Sequence, residues 1–281
     1  MKEEFKIEPI QLLPVLASLG FGILCAYVVL TSSISLYPVT PFPEGVGSFV
    51  NALYFVMLAG VGATLLYLLV KRKKLRIISL ITGFAITAAL LLLSIVYLSA
   101  LFSLLAVSST TALILTLVIA TSVTALADLA IFKVQGGISN AVILLLGGGL
   151  GAFLGVSIPI YSAILILAFL AIYDIYAVYR GAVGKIAEQG LEELRGLSFS
   201  FKNFQMGLGD LTFYSMLAGL VLANAGPILS IVNTVFLAAS VIGIMAGVIL
   251  VLKMLERRGM FPGLPFPVFL GLLPLLVYLL R

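Results

Sequence analysis

The sequence predicts an all-α membrane protein with nine transmembrane helices, a cytoplasmic amino terminus and an extracytoplasmic carboxyl terminus. Three observations predict it. Of the 281 residues, 62% are hydrophobic and 10% charged, whereas soluble domains carry about 25% charged residues. Apolar stretches of about 20 residues, the length that crosses a bilayer, recur along the chain. The lysines and arginines cluster in alternate connections between them.

The first stretch, 9–30, ends in no small-residue cleavage site and reads as a retained helix. It holds Cys25, the one cysteine, expected as a small buried packing residue. The second, 48–70, follows "TSSISLYPVTPFPEGVG" and runs into "KRKKLR" (71–76). The third, 76–98, and fourth, 102–127, are joined by "YLSALFSLL", where no charge marks the turn. The fifth, 138–156, contains "LLLGGGLGAFLGV", with Gly147, Gly151 and Gly155 on one helical face. Such a stripe serves close packing inside a monomer, or alternatively dimerisation. Gly147-x-Gly149-x-x-Ala152 also imitates a dinucleotide fingerprint but lacks the preceding strand and aqueous phosphate site that motif needs. A short turn near Ser157 and Pro159 leads into the sixth stretch, 158–179. The seventh spans 204–223, the eighth 227–251 with Pro227 as a candidate start, and the ninth 261–280.

The positive-inside bias orients these spans. An amino terminus in the cytoplasm puts Lys2, Lys6, the 71–76 cluster, Lys133, the 180–203 segment, Lys253, Arg257 and Arg258 on one side. That accounts for 15 of the 16 basic residues, the exception being Arg281. Read this way, the net charge of +5 describes topology. No basic run is interleaved with exposed aromatics, which argues against nucleic-acid binding.

The chain has no histidine. That removes H-E-x-x-H zinc sites and Ser–His or Cys–His pairs, and one cysteine makes neither a disulfide nor a thiolate metal site. No metal or other cofactor is implied. Hydrolysis would then rest on carboxylates, or on less usual lysine, tyrosine or serine chemistry. The aspartates number three: Asp128, Asp174 and Asp210. Asp128, at the end of the fourth span beside Lys133, reads as a helix-end charge rather than a catalytic one.

Asp174 lies in "LAIYDIYAVYR", six residues before Arg180, or about 9 Å of helix. Asp210 follows Lys202 by eight residues, about 12 Å if that stretch is helical throughout. The sixth and seventh spans run in opposite directions, so both carboxyls fall at similar depth below the cytoplasmic surface. An ionised aspartate at a helix centre costs roughly 2.5–3.5 kcal/mol or more, and no basic residue inside a span offsets it. One reading is a pair of protonated acids joining helices. The other is a dyad that shares a proton, in which one carboxylate activates water and its partner protonates the scissile amide oxygen. Gly207 and Gly209 leave lateral room beside Asp210.

Three motifs then resemble the presenilin and signal peptide peptidase family of intramembrane aspartyl proteases: Tyr173-Asp174, "GLGDLTFYSMLAG" (207–219) and Pro262-Gly263-Leu264-Pro265. The resemblance covers most of the chain and implies a presenilin-like bundle, with Asp174 and Asp210 as the catalytic aspartates. It also implies that Tyr173, Gly207, Leu208, Gly209, Pro262, Gly263, Leu264 and Pro265 frame the substrate. The third motif departs from the family's Pro-Ala-Leu at Gly263. Independently of family, two prolines and a glycine at a span's cytoplasmic end leave backbone groups that protein or cavity water must satisfy, unless they merely start the helix.

The charge pattern matches the presenilin orientation, implying substrates whose amino terminus is outside and carboxyl terminus in the cytoplasm. The expected organisation is residues 1–157 (helices one to five) for scaffold and substrate access. Residues 158–281 would form the catalytic part, with a cytoplasmic loop at 180–203. That loop, shorter than in animal presenilins, suggests a single-chain, archaeal-type enzyme of the cell membrane that needs no accessory subunits. Within it "GKIAEQGLEELRG" reads as an amphipathic surface helix with Ile186, Leu191 and Leu194 toward the bilayer. "GLSFSFKNF" (196–204) is a candidate for strand pairing with an unwound substrate. Prepilin peptidases share the G-x-G-D aspartate but have fewer spans. The alternative function is a proton-coupled transporter or cation channel using the same carboxylates, although no internal repeat supports it.

Overall fold

The computed structural model describes residues 9–134, 136–181, 196–201, 204–258 and 260–281. Among them are nine α-helices: α1 (Leu13–Thr31), α2 (Val46–Lys71), α3 (Leu75–Leu104), α4 (Ser109–Leu129), α5 (Gly137–Ser157), α6 (Ile160–Tyr179), α7 (Leu208–Asn224), α8 (Ile231–Arg258) and α9 (Pro265–Leu279). A 3-10 turn at Pro9–Leu12 precedes α1, and a π-helical turn at Ala130–Val134 prolongs α4. Strands β1 (Ser198–Phe201) and β2 (Phe204–Gly207) pair antiparallel immediately before α7. Seven helices are long and apolar enough to cross a membrane; α7 and α9 are shorter apolar helices.

The short α7 lies at the centre. Leu211, Tyr214, Ser215, Met216, Leu217, Ala218, Leu220 and Val221 are all fully enclosed, as expected of a helix that is apolar all round. Its closest neighbour is α5, whose glycine stripe faces it. A Cβ on Gly151 would overlap the Thr212 carbonyl, one on Gly155 the Met216 carbonyl, and one on Gly147 would come within 2.9 Å of the Leu211 Cβ. The intervening Gly148 meets the Ser18 carbonyl of α1. The stripe is thus occupied by packing within the monomer. A second set, Gly243 and Gly247 on α8, lets the backbone of α9 approach at Leu270 and Pro267; its role emerges only once these helices are seen side by side.

Helix α2 is anchored at one end. Its buried residues are Ser48, Asn51 and Ala52. The Asn51 side-chain amide donates to the Phe42 carbonyl (2.9 Å) and the Ser162 hydroxyl (3.0 Å), while its oxygen accepts the Phe42 N–H (3.1 Å). Ser162 passes the chain on to Ser48 at 3.2 Å. Glu44 accepts the Tyr161 N–H at 3.0 Å, satisfying a backbone donor that the first turn of α6 leaves free. At the opposite end of α2, Leu197 packs with Leu66, Tyr67, Leu69 and Val70 around the buried Ile78. The hairpin therefore sits at the same end as the basic 71–76 turn.

Element boundaries shift where local chemistry overrides apolarity. The seventh span begins at Leu208 because 204–207 is extended, so the run from Lys202 to Asp210 is not one continuous helix. The eighth starts at Ile231 rather than Pro227, after Gly226 with φ +102°, and the Ser230 hydroxyl accepts the Asn233 N–H at 3.1 Å. The ninth starts at Pro265, leaving Pro262–Leu264 ahead of the helix, and α3 continues unbroken to Leu104. Cys25 is buried, as its span suggests. The amphipathic segment carrying Ile186, Leu191 and Leu194 lies outside the described residues.

Candidate active site

Asp174 occupies the last two turns of α6, and Asp210 the first turn of α7. Both residues are half-buried. Gly207 is the N-cap of α7, with φ −71° and ψ 146°, and Asp210 stands at the third helical position. The glycines beside Asp210 have no helix pressed on them: a Cβ at Gly207 would find its nearest atom, Asp210 Oδ2, at 3.7 Å, and one at Gly209 would meet Phe213 at 3.9 Å.

The residues before α9 complete the site. The Leu264 N–H donates to Asp174 Oδ2 at 3.0 Å. One residue earlier, Gly263 lies so close to Asp210 that a Cβ there would be 2.8 Å from Oδ2 and 2.9 Å from Cγ. Consecutive residues of one loop therefore touch both aspartates. The Tyr214 hydroxyl donates to the Gly263 carbonyl at 2.8 Å. Phe261 and Phe266 stack with ring centroids 5.8 Å apart and planes nearly parallel, flanking the prolines at 262 and 265. Two of the loop's backbone groups, the Gly263 carbonyl and the Leu264 N–H, are thus taken up by side chains of α7 and α6, as irregular backbone inside a membrane requires.

Other candidates fall at various distances from this centre. Pro262 and Leu264 are buried beside the aspartates. Tyr173 points the other way, toward α2, where a Cβ on Gly60 would lie 3.6 Å from its hydroxyl. Leu208 directs its tip at Gly147 of α5 rather than at the carboxyls. Asp128 accepts from the Thr87 hydroxyl of α3 at 2.8 Å and belongs to that helix contact.

The hairpin leads directly into the glycine motif. Phe199 and Met206 face each other across its register and are buried, anchoring one face in the core. The Leu208 N–H continues the ladder to the Leu197 carbonyl at 2.8 Å. Gly196, at φ +82°, enters β1 against Ile86 and Ile131, in a conformation and a space that exclude a side chain. Tyr214, the stacked Phe261 and Phe266, and β2 were not singled out from sequence. A tyrosine one turn after Asp210 was the available signal, because a buried phenol needs a partner for its hydroxyl.

The chain matches no protein-family model, and no curated protein matches its sequence. Solved structures do match. A presenilin family intramembrane aspartate protease in a C222 crystal form superposes with a TM-score of 0.66 and 22% identity, covering 96% of this chain and 98% of its own. A structure of such a protease in a P2 form gives 0.63 and 22%, covering 98% of each chain. Over nearly its whole length, the chain has the fold of presenilin-family intramembrane aspartate proteases.

Proposed function

We propose that the protein is an intramembrane aspartyl protease that hydrolyses peptide bonds within or near transmembrane helices of membrane proteins or remnant signal peptides. The observation that carries this is the convergence of Asp174 and Asp210 on the Gly263–Leu264 dipeptide. One carboxylate removes a proton from water, which adds to the scissile carbonyl carbon, while the protonated partner donates to the carbonyl oxygen. Collapse of the tetrahedral adduct breaks the C–N bond and returns a proton to the amine. The likeness in fold to presenilin-family proteases supports the same reading.

In this reading nine helices span the cell membrane, with the amino terminus inside and the carboxyl terminus outside. Residues 1–157 form the scaffold and access route, and residues 158–281 carry the chemistry. Substrates enter with their amino termini outside. Gly207, Gly209 and the 262–265 loop line the approach of the substrate. A helix hides its own amides, so the substrate unwinds before cleavage. Among the described residues the sheet has two strands, and main-chain pairing along it holds an extended segment. The enzyme works as a single chain.

The test is cleavage of a reporter transmembrane helix by the purified protein in liposomes, beside Asp174→Ala and Asp210→Ala. Product is expected from the wild type alone, with mass spectrometry locating the cut. Product that survives either substitution refutes the dyad. Altered proton or cation flux in the variants, with no cleavage of any substrate, overturns the protease reading in favour of transport.

A further inference from the structure

Tyr214 is a fully enclosed tyrosine one helical turn beyond Asp210. Its hydroxyl donates to the Gly263 carbonyl at 2.8 Å, and the Leu264 N–H donates to Asp174 Oδ2 at 3.0 Å. That carbonyl and that N–H belong to the same peptide group. A peptide group is planar, with its C=O and N–H pointing in opposite directions. Rotating it to release one hydrogen bond therefore releases the other. The path Tyr214 O–H to Gly263 C=O, then Leu264 N–H to Asp174, is a two-bond relay through one rigid plate. Accepting a hydrogen bond at the carbonyl also strengthens the N–H as a donor.

This relay has a geometric consequence. Tyr214 and Asp210 share α7, whereas Asp174 belongs to α6. The hydroxyl on Asp210's own helix thus fixes the group that holds the other carboxyl. We propose that Tyr214 is a positioning residue that couples the two aspartates, setting the placement of Asp174 relative to Asp210 through the Gly263–Leu264 peptide. The proposal rests on the dyad reading above and adds to it a residue that does not itself touch substrate. A tyrosine that merely fills the core would lose nothing at the aspartates when its oxygen is removed, since the ring alone does the packing.

The experiment uses the full chain in detergent with aspartate labelled at Cγ with carbon-13. Three aspartates give three resonances, assigned by Asp128→Asn, Asp174→Asn and Asp210→Asn. Tyr214→Phe keeps the ring and deletes the donor. Tyr97→Phe is the matched control, because the Tyr97 hydroxyl donates to the Gly149 carbonyl of α5, away from the 262–265 loop. In Tyr214→Phe the Asp174 resonance is expected to move while that of Asp128 stays, and Tyr97→Phe is expected to leave Asp174 in place. On a cleavable reporter, kcat is expected to fall roughly tenfold with KM held, the scale of one lost hydrogen bond. Incorporating 4-aminophenylalanine at position 214, which restores an N–H donor, is expected to recover both signals, and it carries the test if the Phe variant does not fold. An Asp174 resonance that coincides with wild type overturns the proposal. So does a shifted resonance with unchanged kcat, or an amino variant that folds without recovery. If the wild type cleaves no reporter, the protease reading falls separately, and the resonances alone decide whether the relay exists.

Discussion

Replacing Gly263 with alanine adds one methyl group directly beside Asp210. The new Cβ would stand 2.8 Å from Oδ2 and 2.9 Å from both Cγ and Oδ1, whereas ordinary contact begins near 3.4 Å. The carboxyl must therefore retreat, by about 0.6 Å to reach ordinary contact. It can do so, because it ends the short side chain of a half-buried residue. The backbone does not resist: Gly263 is outside the left-handed region that alanine avoids, and removing a glycine lowers the entropy of the unfolded chain, worth about 0.4–1 kcal/mol. Folding should thus be unharmed while the dyad is displaced. A misplacement of about 1 Å in a catalytic group can cost on the order of 100-fold in rate, so Gly263→Ala is expected to lower kcat by roughly 10- to 100-fold. The assay is reporter cleavage with a thermal melt of the same preparation. The outcome is counterintuitive, because alanine restores the Pro-Ala-Leu run of the family that the sequence resembles. Turnover within about twofold of wild type, at unchanged stability, would refute the steric argument and show that the loop yields rather than the carboxyl.

Other outcomes follow from the same geometry. If the dyad works with one shared proton, kcat/KM should trace a bell against pH: too acid and no carboxylate remains to activate water, too alkaline and no proton remains for the amide oxygen. A rate that rises or falls monotonically across the whole range would contradict this. Gly151→Val should cost about 3 kcal/mol, since its Cβ would run into the Thr212 carbonyl and its neighbours on α7; the check is a melt in detergent, and no loss would mean the α5–α7 interface can spread. Asn51→Ala should cost roughly 1–3 kcal/mol by stranding the Phe42 backbone groups and Ser162, read as earlier proteolytic nicking of the segment before α2. Phe199→Ala should loosen the hairpin at a cost of about 3 kcal/mol, raising KM more than it lowers kcat if the sheet edge receives substrate.

What the sequence determined by itself was set by one-dimensional physics. The hydrocarbon thickness fixes span length, so most of the helices could be found from apolar runs. The scarcity of charge in those runs made Asp174 and Asp210 conspicuous, because a carboxylate in hydrocarbon demands a reason. The glycine stripe at Gly147, Gly151 and Gly155 was also visible, since a period of four puts small residues on one helix face. The boundaries at Leu208, Ile231 and Pro265 were not, because a largely apolar run begins at Phe204 and another crosses 261–264, while the contacts that set where each helix starts come from elsewhere in the fold.

Only the tertiary structure decided which neighbours those residues meet. Tyr214 is an ordinary aromatic in an apolar helix until the Gly263 carbonyl, 49 residues away, comes within 2.8 Å. Leu208 sits in the glycine motif, yet its tip goes to α5. Gly263 looks like a loosened alanine in sequence, whereas in space its missing methyl is the room that Asp210 occupies. Depth in a membrane can be counted along the chain. The contacts at a given depth depend on how helices far apart in sequence are rotated and brought together, and that is settled only by packing the whole bundle.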